Sequence, residues 1–139
     1  MLANQVLQRT IYEIGDIVEC NCSIWSMEGM LLASVGEEKP AVRRAVKSYI
    51  LDVRECGPQI QKIDADIALF TACDELEPIY VFVMEHRGSV DARVSGRLCI
   101  SQIEALIRMN KERMDKNRFL QNLLLDNLLL WIFITRPES

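Results

Sequence analysis

The feature that most limits how this chain can fold is one long run near its end. Residues 89–130 contain no proline and a single glycine, Gly96. We predict one helix that begins with Ser89 as its N-cap and with Asp91 in the first turn, where the helix dipole favours a carboxylate. A helix of roughly 40 residues is about 60 Å long, about twice the width of a small domain. Only its first part can pack on its own domain, so we expect the rest to project.

The projecting part carries two apolar patterns. Side chains at steps of three, four or seven residues predict a coiled-coil seam with a polar middle, formed by Ile103, Ile107, Asn110, Met114, Asn117, Leu124 and Leu128. Beyond Phe119, apolar residues surround the helix on almost every side, and such a helix must be enclosed. We therefore predict that the chain pairs with a second copy of itself and forms a homodimer through this helix.

The flanks of the seam are basic. Between Arg93 and Arg118 lie seven basic and three acidic residues, whereas the whole chain has a formal net charge of -4. Contact with nucleic acid is one interpretation of this patch, and a solvated helix face beside a dimer seam is the other. We favour the solvated face because no aromatic residues alternate with the charges and no groove-reading motif is present. We expect no direct DNA binding by this chain.

The earlier part of the chain mixes helical and strand patterns. Apolar residues three and four apart predict one helix over 2–14, ended by Gly15, and another that begins at Pro40 and stops at Gly57. Two-residue alternation predicts further strands, over 19–25, 30–34, 66–73 and 79–86, with a short one at 59–63. Both faces of the last two long strands are apolar, so helices must cover both sides of the sheet.

These elements predict an α+β fold of the PAS, GAF or profilin type. We expect a central antiparallel sheet of about five strands in the order 2-1-5-4-3, with helices on both faces and a long C-terminal helix. Residues 1–100 would form the α+β domain, and residues 101–135 a projecting dimerisation helix continuous with the last helix of that domain. A chain of 139 residues can bury such a core without disulfide bonds or bound metal ions to stabilise it.

The sequence contains few residues in patterns that indicate catalysis or metal binding. His86 is the one histidine and has no recognisable catalytic partner. Cys20 and Cys22 have no second pair at metal-site spacing, so we interpret them as core residues rather than zinc ligands. No phosphate-binding glycine loop and no nucleophile elbow is present. We predict no catalytic residues, no metal ligands, no cofactor and no enzymatic activity.

A small-molecule pocket is harder to judge from sequence. Trp25, Tyr80 and Phe82 are aromatic residues that could line one, with Arg43, Arg44 or Arg87 meeting an anion. The alternative is that the aromatic residues belong to the core and the arginines to the surface, because pocket walls and core look alike in sequence.

The sequence also bears on location. The amino terminus has no secretory pattern, and the apolar stretch 123–134 is interrupted by Asp126 and Asn127 and is too short to span a bilayer. Five cysteines leave at least one unpaired, which suits a reducing compartment. We therefore expect a cytoplasmic protein with no membrane association.

Residues 110–130, NKERMDKNRFLQNLLLDNLLL, carry a more specific signal. They resemble the linker helix of carbohydrate-diacid (CdaR/PucR-type) transcriptional regulators of clostridial bacteria, in which a similar segment follows an amino-terminal sensor domain. Residues 2–8 and the hairpin at 28–34 are also similar to the start of that family. The resemblance implies a front half that senses and dimerises, and a helix-turn-helix at the distant carboxyl end.

Two functional hypotheses follow from the resemblance and the patterns together. The first is a ligand-sensing and dimerisation module of a transcription regulator, with a small anionic metabolite such as a sugar acid as its ligand. The second is a ligand-free dimerisation platform of the roadblock or longin kind that binds protein partners. After Leu130 the sequence departs from the family, and we expect a truncated regulator that lacks its own DNA-binding domain.

Overall fold

The computed structural model describes residues 2–86 and 91–135. In chain order the elements of these ranges are α1 (Asn4–Val18), β1 (Asn21–Ser26), β2 (Leu31–Ser34), α2 (Pro40–Cys56), β3 (Lys62–Ile63), β4 (Ile67–Asp74), β5 (Glu77–Glu85) and α3 (Ala92–Thr135). The predicted α+β fold with a long C-terminal helix is confirmed.

The strands form one antiparallel sheet in the order β2-β1-β5-β4-β3, as predicted. The central strand β5 pairs with β1 on one side and with β4 on the other, so that Phe82 lies opposite both Ile24 and Phe70. Directly paired residues of antiparallel strands share a face of the sheet. The alternation along β5 therefore assigns Tyr80 and Phe82 to one face and Val81 to the other.

The face that carries Phe82 is covered by α1 and α3. Phe70 and Phe82 lie at its centre, with ring centroids 6.3 Å apart. Ile11 of α1 and Ile103 of α3 pack in the same cluster and are almost fully buried. The three- and four-residue spacing in both helices thus serves to cover this side of the sheet.

The opposite face is covered by α2. Val46 and Tyr49 of this helix are fully buried in a cluster with Trp25 and Val81. The Tyr49 hydroxyl donates a hydrogen bond to the carbonyl oxygen of Ile60 at 2.5 Å and has the Thr71 hydroxyl 2.8 Å away. Burial raises the pKa of Tyr49 to about 12. Both faces are thus covered, as the apolar strands require.

Gly15 does not end α1, and that prediction is wrong. The helix continues to Val18 and ends where Glu19 takes a φ of 55°. Gly15 is buried, and a Cβ atom on it would lie 3.2 Å from the carbonyl oxygen of Cys20 and 3.3 Å from Cγ2 of Val35. The position requires a small residue inside the helix because the following chain packs directly against it.

The start of α3 also differs from the prediction. The carboxylate of Asp91 accepts a hydrogen bond from the backbone N–H of Val94 at 3.2 Å, and the helix begins at Ala92. Asp91 therefore lies at the capping position rather than in the first turn. Ser89, the predicted N-cap, lies outside the described residues.

At one edge of the sheet, a side chain forms hydrogen bonds with the backbone of the edge strand. The amide of Gln8, in α1, donates to the carbonyl oxygen of Ser34 at 2.8 Å and accepts from its backbone N–H at 3.2 Å. Gln8 thus satisfies both backbone groups of one residue of the edge strand β2, which would otherwise be available to another chain.

The chain divides into two compact units, Met1–Ile107 and Arg108–Ser139. The first unit contains all the buried side chains of the described residues, and every side chain from 111 to 135 is exposed. Among the described helices, none combines the length and the apolar character needed to cross a membrane.

Candidate interaction surface

The most unusual surface of the described chain lies on the last turns of α3. We call it the apolar helix surface, and it consists of Phe119, Leu120, Leu123, Leu124, Leu125, Leu128, Leu129, Leu130, Trp131, Ile132, Phe133 and Ile134. Each of these side chains is at least 44% exposed. A contiguous apolar surface on this scale marks an interaction site rather than ordinary surface.

The structure divides the predicted seam into two parts. Ile103 and Ile107 are 1% and 9% exposed and pack in the core of the first unit, so they are already enclosed within the chain. Met114 and Leu124 are more than half exposed, and Asn117 and Leu128 are exposed as well. These positions are available to a partner, and their place in a dimer interface stays a prediction.

The middle of the seam is polar, and Asn110 has a neighbour on its own helix. Its Nδ2 donates to the sulfur of Met114, one turn further along α3, at 3.6 Å. Asn110 is half-buried. The side-chain amide of Asn110 is therefore directed towards the next turn of its own helix.

The residues predicted for a ligand pocket do not come together. Trp25 lies on the α2 face of the sheet, whereas Tyr80 and Phe82 lie on the opposite face. All three are at most 1% exposed, and the Tyr80 hydroxyl accepts a hydrogen bond from the backbone N–H of Leu2 at 3.0 Å. They belong to two separate parts of the core.

The predicted anion-binding arginines have other surroundings. The guanidinium of Arg43 lies 5.3 Å from the centroid of the Trp25 ring and forms an ion pair with Glu38. Arg44 is exposed on α2, and Arg87 lies outside the described residues. Arg43 therefore covers the edge of the core rather than facing a ligand cavity.

The two buried cysteines, Cys22 and Cys99, are poor candidates for metal binding. Burial raises the pKa of the Cys22 thiol well above its usual value, and it raises the pKa of Cys99 to about 11. Thiols in this state do not readily become the thiolates that bind metals. No group of three or more His, Cys, Asp or Glu side chains in the described ranges is arranged to hold a metal ion.

Two concave surfaces were not predicted from the sequence. A groove of about 580 Å³ lies between α1 and α3, with Ile17 and Leu98 among its lining residues. A second concavity, which we call the His86 cleft, has a volume of about 570 Å³ and is lined by Glu19, Cys20, Asn21, Lys39, Ala41, Val42, Asp66, Ile67, Glu85 and His86. Its residues come from distant parts of the sequence, which only the strand register brings together.

The five-stranded sheet between helices has a counterpart among solved structures. The fold resembles that of MglB from Myxococcus xanthus. The two structures align with a TM-score of 0.54 and 11% sequence identity, over 76% of this chain and 90% of MglB. At this identity the similarity concerns the fold alone. No protein-family profile matches the sequence, and no curated protein matches it.

Proposed function

We propose that this chain is a dimerisation platform for protein partners, and that two copies associate through the apolar helix surface. The observation that carries the proposal is the exposure of that surface, because a helix that is apolar on every side is stable in water only when it is enclosed. The fold similarity to MglB, whose fold is of the roadblock/longin type, fits a platform better than a ligand sensor.

The filled core supports the same proposal. Trp25, Tyr80 and Phe82, the residues that a sensor pocket would use, pack against other side chains with almost no exposure. A sensor domain needs a concave site with converging polar groups, which these residues do not form. The core of the first unit therefore leaves these three residues no room to line a ligand pocket.

A second copy is the partner that the spacing favours. Met114, Asn117, Leu124 and Leu128 follow the three-and-four-residue repeat that allows two identical helices to pack side by side. Asn117 would then lie near the middle of the seam, where a buried amide selects a pairing register at some expense of stability.

The test compares two doubly charged variants in sedimentation equilibrium. Leu124→Lys with Leu128→Lys places two charges on the seam, and Asn122→Lys with Asn127→Lys places the same charges at exposed positions of the same helix outside the apolar helix surface. The wild-type chain should sediment as a dimer at micromolar concentration. The seam variant should sediment as a monomer, because two buried lysines cost several kcal/mol in a dimer.

The control variant should keep the dimer, since its lysines can extend into solvent. A wild-type monomer at about 100 μM, where most specific dimers have formed, would contradict the proposal. So would equal loss of the dimer in both variants, because the loss would then follow from the added charge and not from its place on the seam.

A second proposal follows from the resemblance of residues 110–130 to the linker helix of the CdaR/PucR-type regulators. We propose that the platform is the amino-terminal module of such a regulator. The continuity of α3, which begins in the core at Ala92 and runs to Thr135, supports this, because a linker helix must be unbroken to transmit a change. A rise in melting temperature with millimolar D-glucarate would support a sensor role, and an unchanged melting temperature with this and other sugar acids would oppose it.

A further inference from the structure

The groove between α1 and α3 exposes apolar side chains that the first unit does not cover. We call it the α1/α3 groove, and its volume is about 580 Å³. Its apolar lining residues are Ile14, Ile17 and Val18 of α1 and Leu98 and Cys99 of α3. Ile17 is 79% exposed and Leu98 is 68% exposed, whereas Ile14 and Cys99 are buried. Both helices thus present a large apolar side chain to the groove.

The polar residues of the groove do not form a site for a polar ligand. Among its described lining residues Glu13 is the one that carries a charge, and Glu13 is exposed. A site for a small polar molecule needs several polar groups that converge on it. An open apolar groove between two helices suits the apolar side of a third helix instead.

The same chain carries a helix end that needs more than one neighbour. Leu124 and Leu128 lie on the seam side of the apolar helix surface. Because successive residues of a helix are about 100° apart, Phe119, Leu123 and Leu130 lie on the other side. All five side chains are exposed. One partner helix along the seam would leave the second set in water, so the helix end must also contact another surface.

This helix end does not reach the groove of its own chain. Gln102, the last groove residue in the sequence, and Phe119 belong to the single helix α3 (Ala92–Thr135). At about 1.5 Å per residue they are about 25 Å apart along the helix axis. The groove is therefore open to another molecule, and a second copy of the chain carries an apolar helix end that matches it.

We propose that the α1/α3 groove of each copy binds the helix end, residues 119–134, of a second copy, so that the two α3 helices run antiparallel. The inference rests on the proposed dimer and adds its orientation and a second contact. An antiparallel pair centred between Met114 and Asn117 brings the second copy's Phe133 level with Leu98, because both residues are equally far from that centre. Each copy has one such groove and one helix end, so a two-fold dimer encloses both pairs at once.

Photo-crosslinking of the full chain tests which segment occupies the groove. Benzoylphenylalanine replaces Ile17, a groove residue of α1, in one sample. In the control sample it replaces Tyr12, which is similarly exposed on the same helix but outside the groove. Irradiation of the first sample should give a covalent dimer, with the attachment located by peptide mass spectrometry within residues 119–134 of the second copy. The control sample should give little covalent dimer.

A matched pair of leucine variants tests the contribution of the groove to dimerisation. Leu98→Asp places a charge in the groove, and Leu51→Asp places the same charge at a similarly exposed position of α2. Both variants should fold, because both leucines are exposed. In sedimentation equilibrium, Leu98→Asp should raise the dissociation constant of the dimer at least about tenfold, since a charge then lies against the helix end in both grooves. Leu51→Asp should leave it unchanged.

These measurements separate failure of the groove contact from failure of the dimer. A wild-type chain that does not dimerise contradicts the proposed function and the groove contact together. A wild-type dimer whose Ile17 sample attaches outside residues 119–134, or not at all, overturns the groove contact alone and favours parallel helices or a different occupant, such as a small apolar molecule. Equal effects of Leu98→Asp and Leu51→Asp on the dissociation constant also overturn the groove contact alone.

Discussion

A close approach between α3 and the sheet is made possible by the absence of one side chain. A Cβ atom on Gly96 would lie 2.1 Å from Cζ of Phe70, a distance at which neither group can stay in place. Phe70 is itself 1% exposed and packed beside Phe82, so its ring has no space into which it can move. Gly96 therefore determines how deeply the helix is seated on the sheet.

Gly96→Ala should destabilise the chain although alanine is the better helix former. The gain in helix propensity is about 1 kcal/mol. The cost of forcing a methyl group against a buried ring is about 3 kcal/mol, at the upper end for overpacked cores. The free energy of unfolding, measured in urea, should fall by about 2 kcal/mol. Arg97→Ala, at the next and exposed position, should change it by less than about 0.5 kcal/mol. If Gly96→Ala changes the free energy of unfolding as little as Arg97→Ala does, Gly96 is not packed tightly against Phe70.

At the scale of elements, the local patterns of the sequence predicted the helices and strands well. Pro40 at the start and Gly57 at the end delimit α2 correctly, because both residues act through the backbone of their own position. The prediction that Gly15 ends α1 was wrong for the opposite reason. Its role depends on Val35 and Cys20, which contact it only after the hairpin has folded back. No pattern within α1 contains that information.

The pairing of elements explains why the residues predicted to line a pocket do not come together, and why the groove and the His86 cleft were not predicted. Alternation assigns Trp25 to one side of β1 and Tyr80 to one side of β5, but only the register between the strands tells whether these sides coincide. The observed register places Trp25 opposite Val81, which puts Tyr80 on the other face. The His86 cleft depends on the same register, because it joins the ends of β1, β4 and β5.

Helical spacing has a similar ambiguity. Ile103, Ile107 and Leu124 all fit one repeat of three and four residues, yet Ile103 and Ile107 lie in the core and Leu124 is exposed. A helix that covers a sheet and a helix that pairs with another helix both need an apolar stripe. The length of α3 leaves room for both uses along one helix, as we propose, but the pattern does not show at which residue the first use ends.

At the scale of the whole molecule, the two units use apolar residues in opposite ways. The first unit encloses most of its large apolar side chains, whereas those of residues 119–134 are exposed. Burying one such side chain fully stabilises a complex by roughly 1.5–3 kcal/mol. Association of two proteins costs roughly 4–15 kcal/mol in lost freedom. Burial of about eight side chains across a dimer contributes roughly 12–24 kcal/mol. The middle of this range exceeds the middle of the association cost by about 8 kcal/mol, which is the free energy of a micromolar dimer.

The stability of the full chain should therefore depend on its concentration, whereas a chain ending after Asn110 should be insensitive to it. Because dimerisation binds only the folded state, a hundredfold rise in concentration should stabilise the dimer by about 2.7 kcal/mol. The shortened chain should still fold, since all buried side chains of the described residues lie within the first unit. The measurement is the midpoint of urea unfolding, followed by circular dichroism at about 1 μM and 100 μM protein. The midpoint of the full chain should rise with concentration, and that of the shortened chain should stay the same. Identical midpoints for the full chain at both concentrations would mean that the apolar helix surface is not what holds two copies together.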